Sequence, residues 1–255
     1  DIAIDFHGYG YIGTVYMIEK VKAKKTITFV HGEIIDWMAN VKEYVDKYDK
    51  IFCVSETAKL SVIREYPEYK NKVEVFRNIV DKEKIVKLAK EKINDMNYSK
   101  IKLLTVGRLE REKGYDLLIE IAQKLKNNNI DFKWYIIGEG KLCNEIKQEI
   151  IKQNLEDDII LLGFRENPYP YLEKCDVYVQ PSRHEGYGLA IAEARMLDKP
   201  IVATNRNSIA EQIQDKKNGI LCDYNAESFS YAIIELIKNK ELRNTIVQNL
   251  QNEKM

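Results

Sequence analysis

Short apolar runs recur along nearly the whole chain, each followed by a longer polar stretch of helical periodicity, and no other feature limits the fold as tightly. The runs are IAIDF (2–6), TITFV (26–30), KIFCV (50–54) and KVEVF (72–76), then KLLTV (102–106), FKWYIIG (132–138), DIILLGF (158–164), CDVYVQP (175–181), KPIVAT (199–204) and GILC (219–222). Runs this short between helices read as strands of a parallel sheet with its crossover helices packed on the faces. ETAKLSVIRE (56–65) predicts a helix with Ser55 as its N-cap. YDLLIEIAQKL (115–125) predicts another, with Leu117, Leu118, Ile121, Ala122 and Leu125 on one stripe. Helices at about 141–153, 188–198, 207–214 and 226–238 fit the remaining gaps. Residues 79–99 interrupt the rhythm: they are charged, lack a long strand, and read as a connector with one amphipathic helix. The expected organisation is α/β, with a short first unit at 1–78, a connector at 79–98 and a fuller unit at 99–255.

Charge and cysteine usage narrow the function. Forty basic residues balance forty acidic ones, so no global field favours nucleic acid. Cys53, Cys143, Cys175 and Cys222 are scattered without C-x-x-C or C-x-x-H spacing, which argues against a zinc site. Cys143 falls in a polar helical stretch; the other three lie in apolar runs and read as small core residues. No secretory leader and no bilayer-length apolar run stands out. The opening DIAIDF already reads as a buried strand, and the closing NLQNEKM stops within a helical pattern, so both ends are expected to be truncations.

In open α/β sheets, ligands bind beyond the carboxyl ends of the strands, and the residues there are informative. After KLLTV comes GRLEREKG (107–114), where Arg108 and Lys113 flank a helix start and make an anion site, though the octapeptide reads equally as a solvated loop. IIGEGKL (136–142) is again strand, glycines and helix, a pattern that a tight turn alone explains. VYVQPSRHEGYGLAIAEARML runs strand, loop and helix, with Gly186 and Gly188 leaving amides open at the helix mouth, where a pyrophosphate fits. Glu185 and Glu193 flank that mouth, and helical geometry throughout would separate them by about 12 Å along the axis, the reach from a sugar to a ribose. Glu193 lies among Ala190, Ile191, Ala192 and Ala194, so it is expected to be partly buried and to need a partner. His31 ends a strand and precedes Gly32; a lone histidine there is more often structural than catalytic. His7 is a weaker candidate on the acceptor side, and His184 reads as an exposed loop residue.

These motifs carry a resemblance. The E-x7-E pattern, the preceding PS, the following EA and KPIVAT, and the upstream GRLEREKG resemble the donor domain of a GT-B glycosyltransferase of family 4. NSIAEQI (207–213), NGILC (218–222) and LLGFRENPYPYLEKCDVYVQPS (161–182) fit the same family, so the resemblance covers essentially all of residues 100–240. A looser similarity extends through TITFVHGE (26–33), KIFCVSE (50–56) and VEVFRNIVD (73–81). The resemblance implies two Rossmann-like parallel-sheet domains facing a cleft, the acceptor-side domain at 1–78 being incomplete and the nucleotide-sugar donor domain lying at 99–255. It implies that Arg108 and Lys113 bind the donor diphosphate, that Glu185 faces the transferred sugar and that Glu193 holds the ribose hydroxyls. Amides around Gly186, Tyr187, Gly188 and Leu189 would contact sugar and phosphate, and His31 matches an inter-domain histidine that positions or stabilises the reacting groups. In one respect the chain departs from the family, whose members open with a strand and a glycine-rich loop against the donor. HGYGYIG (7–13) stands in the wrong place for that loop.

By the same resemblance the reaction moves a hexose from a nucleotide-diphosphate sugar to a hydroxyl of a glycan or lipid-linked acceptor, with retention, as in cell-surface polysaccharide synthesis. No cofactor beyond the donor is implied, and no D-x-D motif stands ready for a metal. Nucleic acid is not an expected partner. The expected location is cytoplasmic, with peripheral contact at the inner membrane face as one option. KEKIVKLAKEK (82–92), the one basic amphipathic candidate for that contact, reads more simply as a solvated connector. Competing interpretations are a non-catalytic nucleotide-sugar-binding fragment and a GT-B epimerase or phosphorylase, the latter needing a pyridoxal-phosphate lysine that cannot be assigned. A two-carboxylate glycosidase scheme leaves the cationic pair unexplained.

Overall fold

The structure is a computed structural model that describes residues 1–7, 12–33 and 37–253; most of the 7–13 stretch therefore lies outside the described residues. Contacts divide the chain into two units, Asp1–Ile79 with Glu185–Tyr187, and Val80–His184 with Gly188–Met255.

The first unit is a four-stranded parallel sheet of β1 (Ile2–Asp5), β2 (Lys25–Val30), β3 (Lys50–Cys53) and β4 (Val73–Val75), side by side in that order. Side chains alternate between its faces. One face packs Val30, Ile51, Cys53 and Val73 against α3 (Glu56–Glu65), through Ala58 and Val62. Ser55 caps that helix as the sequence predicts, accepting the Ala58 N–H at 3.1 Å. On the same side α1 (Ile12–Lys20) reaches β1 through Thr14, whose hydroxyl donates to buried Asp5 at 2.8 Å while Tyr48 donates to the same carboxylate at 2.9 Å. The opposite face of β1 and the end of β4 leave Ile2, Ile4, Phe6 and Phe76 exposed. A further short helix is α2 (Lys42–Val45).

The second unit is a six-stranded parallel sheet: β5 (Ile101–Val106), β6 (Phe132–Ile137), β7 (Ile159–Gly163), β8 (Val177–Gln180), β9 (Ile201–Thr204) and β10 (Ile220–Cys222). Their spatial order is β7-β6-β5-β8-β9-β10, so chain order reverses between β5 and β8. Register aligns Leu103 with Trp134 and Val177, and Leu104 with Tyr135 and Tyr178. The first row meets α5 (Tyr115–Asn127), α6 (Cys143–Lys152), α10 (Ala226–Lys238) and α11 (Lys240–Asn252). The second meets α4 (Lys82–Leu88), α7 (Tyr169–Lys174), α8 (Leu189–Met196) and α9 (Asn207–Ala210). Both faces are covered, which is why these strands read as continuous apolar runs. Residues 80–98 contribute Ile85, Ala89 and Met96 to the second core.

The helix expected at 207–214 spans only Asn207–Ala210. Beyond it, Asn218 Oδ1 accepts the Gln214 N–H at 2.7 Å and Nδ2 donates to the Gln212 carbonyl at 3.2 Å, so these backbone groups turn toward a side chain and not into a longer helix. The four thiols are free, and burial pushes Cys53, Cys175 and Cys222 up to about 12. Among the described residues no helix is long and apolar enough to cross a membrane.

Candidate functional site

The reversal of strand order opens a crevice between the carboxyl ends of β5 and β8. Loops leaving β5, β6 and β8 meet there. Gly114, the residue before α5, has φ 72°, and a Cβ on it would strike the Pro181 carbonyl just beyond β8. Only glycine allows that backbone conformation and that approach together. At Gly138, beyond β6, a Cβ would strike the Gly107 carbonyl. Leu109 N–H donates to the Glu139 carbonyl at 2.9 Å, and the Leu109 carbonyl accepts the Leu142 N–H at 3.0 Å. Stretches 107–114 and 136–142 and the Pro181 end of the third are therefore stitched together.

The two cations lie on the β5 stretch. The Lys113 stem crosses Gly107, where an added Cβ would meet its Cγ, Cδ and Cε at 3.5–3.6 Å. Arg108 is the next residue along, 75% exposed, with Glu110 3.6 Å away. An exposed guanidinium and an ammonium beside the same glycine can grip an anion from solvent.

Beneath the loops lie two separate buried polar links, one on each face of the sheet. Trp134 Nε1–H donates to Thr105 Oγ1 at 3.0 Å, and the Thr105 hydroxyl donates to the Val179 carbonyl at 2.7 Å. Tyr178 donates to Gln180, whose Nε2 donates to Ser182 Oγ at 2.6 Å. Gln180, the polar residue that closes the apolar run VYVQ, marks the second link in the sequence, and it is 2% exposed.

Helix α8 starts at Leu189, with Gly188 as N-cap at φ 82° and no capping side chain. That left-handed residue breaks the helix before it reaches Glu185, so the expected 12 Å separation of the two glutamates along a common axis does not apply. Glu193 is half-buried in the second turn and has the partner its surroundings demand: Tyr169 donates to its Oε1 at 3.0 Å. Burial raises the Glu193 carboxyl above its ordinary value, and the Tyr169 bond opposes this. The phenol in turn is pushed up to about 12 by burial and by Glu193.

The remaining predicted residues belong to the first unit. A Cβ on Gly186 would strike the His31 carbonyl, so the chain passes there backbone to backbone. Glu185 and Tyr187 flank it and are half-buried. His31 Nε2 is 2.5 Å from the Phe6 carbonyl, and its ring packs edge-on against Phe6 at 4.9 Å. His7 and His184 are exposed. The predicted residues thus form two sets: Arg108, Lys113, Gly188, Leu189 and Glu193 in the second unit, and His31, Glu185, Gly186 and Tyr187 in the first. A groove of about 660 Å³ runs between α5 and α6 and is bordered on the loop side by Arg111, Leu142 and Arg183.

Residues 86–253 match the family described as glycosyl transferases group 1. An uncharacterized glycosyltransferase of Methanocaldococcus jannaschii is 34% identical over 204 residues, covering 79% of this chain and 53% of that protein. The N-acetylgalactosamine-N,N'-diacetylbacillosaminyl-diphospho-undecaprenol 4-alpha-N-acetylgalactosaminyltransferase of Campylobacter jejuni is 33% identical over 174 residues, covering 68% of this chain and 46% of that protein. The chain spans about half the length of the curated relatives it matches. The crystal structure of Anabaena HepE in complex with UDP matches 98% of this chain and 72% of that one, with a TM-score of 0.81 at 19% identity, a likeness of fold alone.

Proposed function

The chain belongs to the group 1 glycosyl transferases, and from that premise we propose that it binds a nucleotide-diphosphate sugar in the β5/β8 crevice and transfers the sugar to a hydroxyl. The observation that carries this is the joining of the Arg108/Lys113 loop at Gly114 to Pro181, where the loop that runs on to the Gly188-capped α8 begins, at the strand-order reversal. Breaking the glycosidic bond builds negative charge on the leaving diphosphate. Arg108, Lys113 and the first amides of α8 offer a guanidinium, an ammonium and a helix dipole to stabilise it. Glu193, held by Tyr169, accepts hydrogen bonds from ribose hydroxyls. Amides about Gly186, Tyr187, Gly188 and Leu189 contact sugar and phosphate, Glu185 binds hydroxyls of the transferred hexose, and His31 positions the reacting groups.

The transfer proceeds with retention by same-face attack assisted by the leaving phosphate, without a metal. A relative of 33% identity carries diphospho-undecaprenol in its name, and a structural neighbour holds UDP, which supports a uridine-linked donor and a lipid-linked or glycan acceptor in surface polysaccharide synthesis. Such an acceptor brings peripheral membrane contact with it. A thermal-shift screen against nucleotide sugars, followed by calorimetry, tests the reading. Donor affinity falls sharply in Arg108→Ala and in Glu193→Ala; unchanged affinity in both would defeat the site assignment.

A further inference from the structure

One side chain fastens the loop leaving β8 to the loop leaving β5. Arg183 Nη1 donates to Asp116 Oδ1 at 2.8 Å and to the Arg111 carbonyl at 2.8 Å, and its Nη2 donates to Asp116 Oδ2. Its backbone N–H donates to the Glu112 carbonyl at 2.7 Å. Its guanidinium carbon lies 5.0 Å from the centroid of the Tyr224 ring, which follows β10. Asp116 stands in the first turn of α5, where the helix dipole also favours its charge, and Arg183 holds its carboxyl below the usual carboxylate range.

This geometry exceeds what an ion pair at the surface needs. The Arg183 side chain is 33% exposed and that of Asp116 is 60% exposed, so the pair adds little to global stability. A two-pronged guanidinium with a further carbonyl contact is directional, however, and fixes orientation. The elements it joins are the turn bearing Lys113 and the strand-to-helix loop that ends at Gly188. Lysine has one ammonium and cannot reproduce the fork.

We propose that Arg183 is a positioning residue for the nucleotide-diphosphate site: gripping Asp116 and the 111–112 backbone, it sets the register between the β5 loop and the β8 loop. The proposal rests on the donor reading above. It places Arg183 outside contact with the ligand, acting through Lys113 and the mouth of α8. It also separates the two halves of the ligand, because Glu193 lies inside α8, beyond the fastened segment.

Hydrogen exchange tests the fastening without any ligand, and UDP and uridine titrations test its role. In Arg183→Ala, amides of 108–114 and 182–189 exchange faster while those of α10 stay unchanged. UDP affinity falls about tenfold, the scale of one lost directional charged contact, and uridine affinity changes less than about twofold. Asp116→Asn gives the same pattern, the double variant adds nothing, and Arg183→Lys recovers only part of the UDP affinity. Unchanged exchange in both loops overturns the proposal, as does equal weakening of UDP and uridine. Failure of the unaltered chain to bind UDP defeats the donor reading instead, and the exchange result then decides whether Arg183 fastens the loops.

Discussion

Two glycines with nearly the same backbone conformation allow the loop junction to be weighed. Gly114 has φ 72° and Gly163 has φ 70°. Alanine at Gly163 would meet no atom within 4 Å, whereas alanine at Gly114 would strike the Pro181 carbonyl and come within 3.2 Å of the Tyr224 hydroxyl. Each substitution brings a left-handed alanine, at about 1 kcal/mol. Each also restricts the unfolded chain, which returns about 0.4–1 kcal/mol of stability. Gly163→Ala should therefore be neutral to within about 1 kcal/mol. Gly114→Ala adds an overpacking term of about 1–3 kcal/mol, because a carbonyl beside a buried strand end has little room to retreat. Its total cost is then about 1–3.6 kcal/mol, and at roughly 2–4 °C per kcal/mol for a chain of this size the unfolding temperature falls by roughly 2–14 °C. Scanning calorimetry of the purified variants reads this directly. Equal unfolding temperatures for the two variants would refute the claim that the β5 and β8 loops are locked together at Gly114.

Glu193 gives a pH signature. Burial places its folded-state value above its ordinary value of 4.5, so its charge costs stability, and the cost is absent below 4.5 and grows as pH rises through the raised value. Glu193→Gln removes that cost, so its unfolding temperature relative to the unaltered chain rises between pH 4 and pH 7; a constant difference in calorimetry would contradict the assignment. Thr105→Val leaves the Trp134 indole N–H without its acceptor inside the core and should cost about 1–3 kcal/mol, with an altered Trp134 emission spectrum as the accompanying readout.

The strands of the second unit were legible because each is a short apolar run buried on both faces, and the loop motifs were legible because glycine and charge cluster just after those runs. Strand order was not, since the pairing of Leu103 with Val177 joins residues far apart in the chain. Glu193 could be read as needing a partner, but Tyr169 lies 24 positions away on another helix, and nothing local marks it. Arg183 and Asp116 each look like ordinary surface charges; only the folded loops reveal them as a pair. The expected distance between the glutamates failed at one residue, Gly188, whose positive φ ends the helix that the spacing had assumed.

The central position of β5 has a consequence for how the chain acquires its shape. Its neighbour β6 follows after one helix, but β8 arrives much later, and the Lys102 N–H waits for a carboxylate 74 residues downstream. During synthesis β5, β6 and β7 can zip first, leaving one flank of β5 bare until β8 leaves the ribosome. Slow translation between residues 107 and 176 prolongs that vulnerable interval, so aggregation of nascent chains should respond to codon choice in this window more than anywhere else in the second unit.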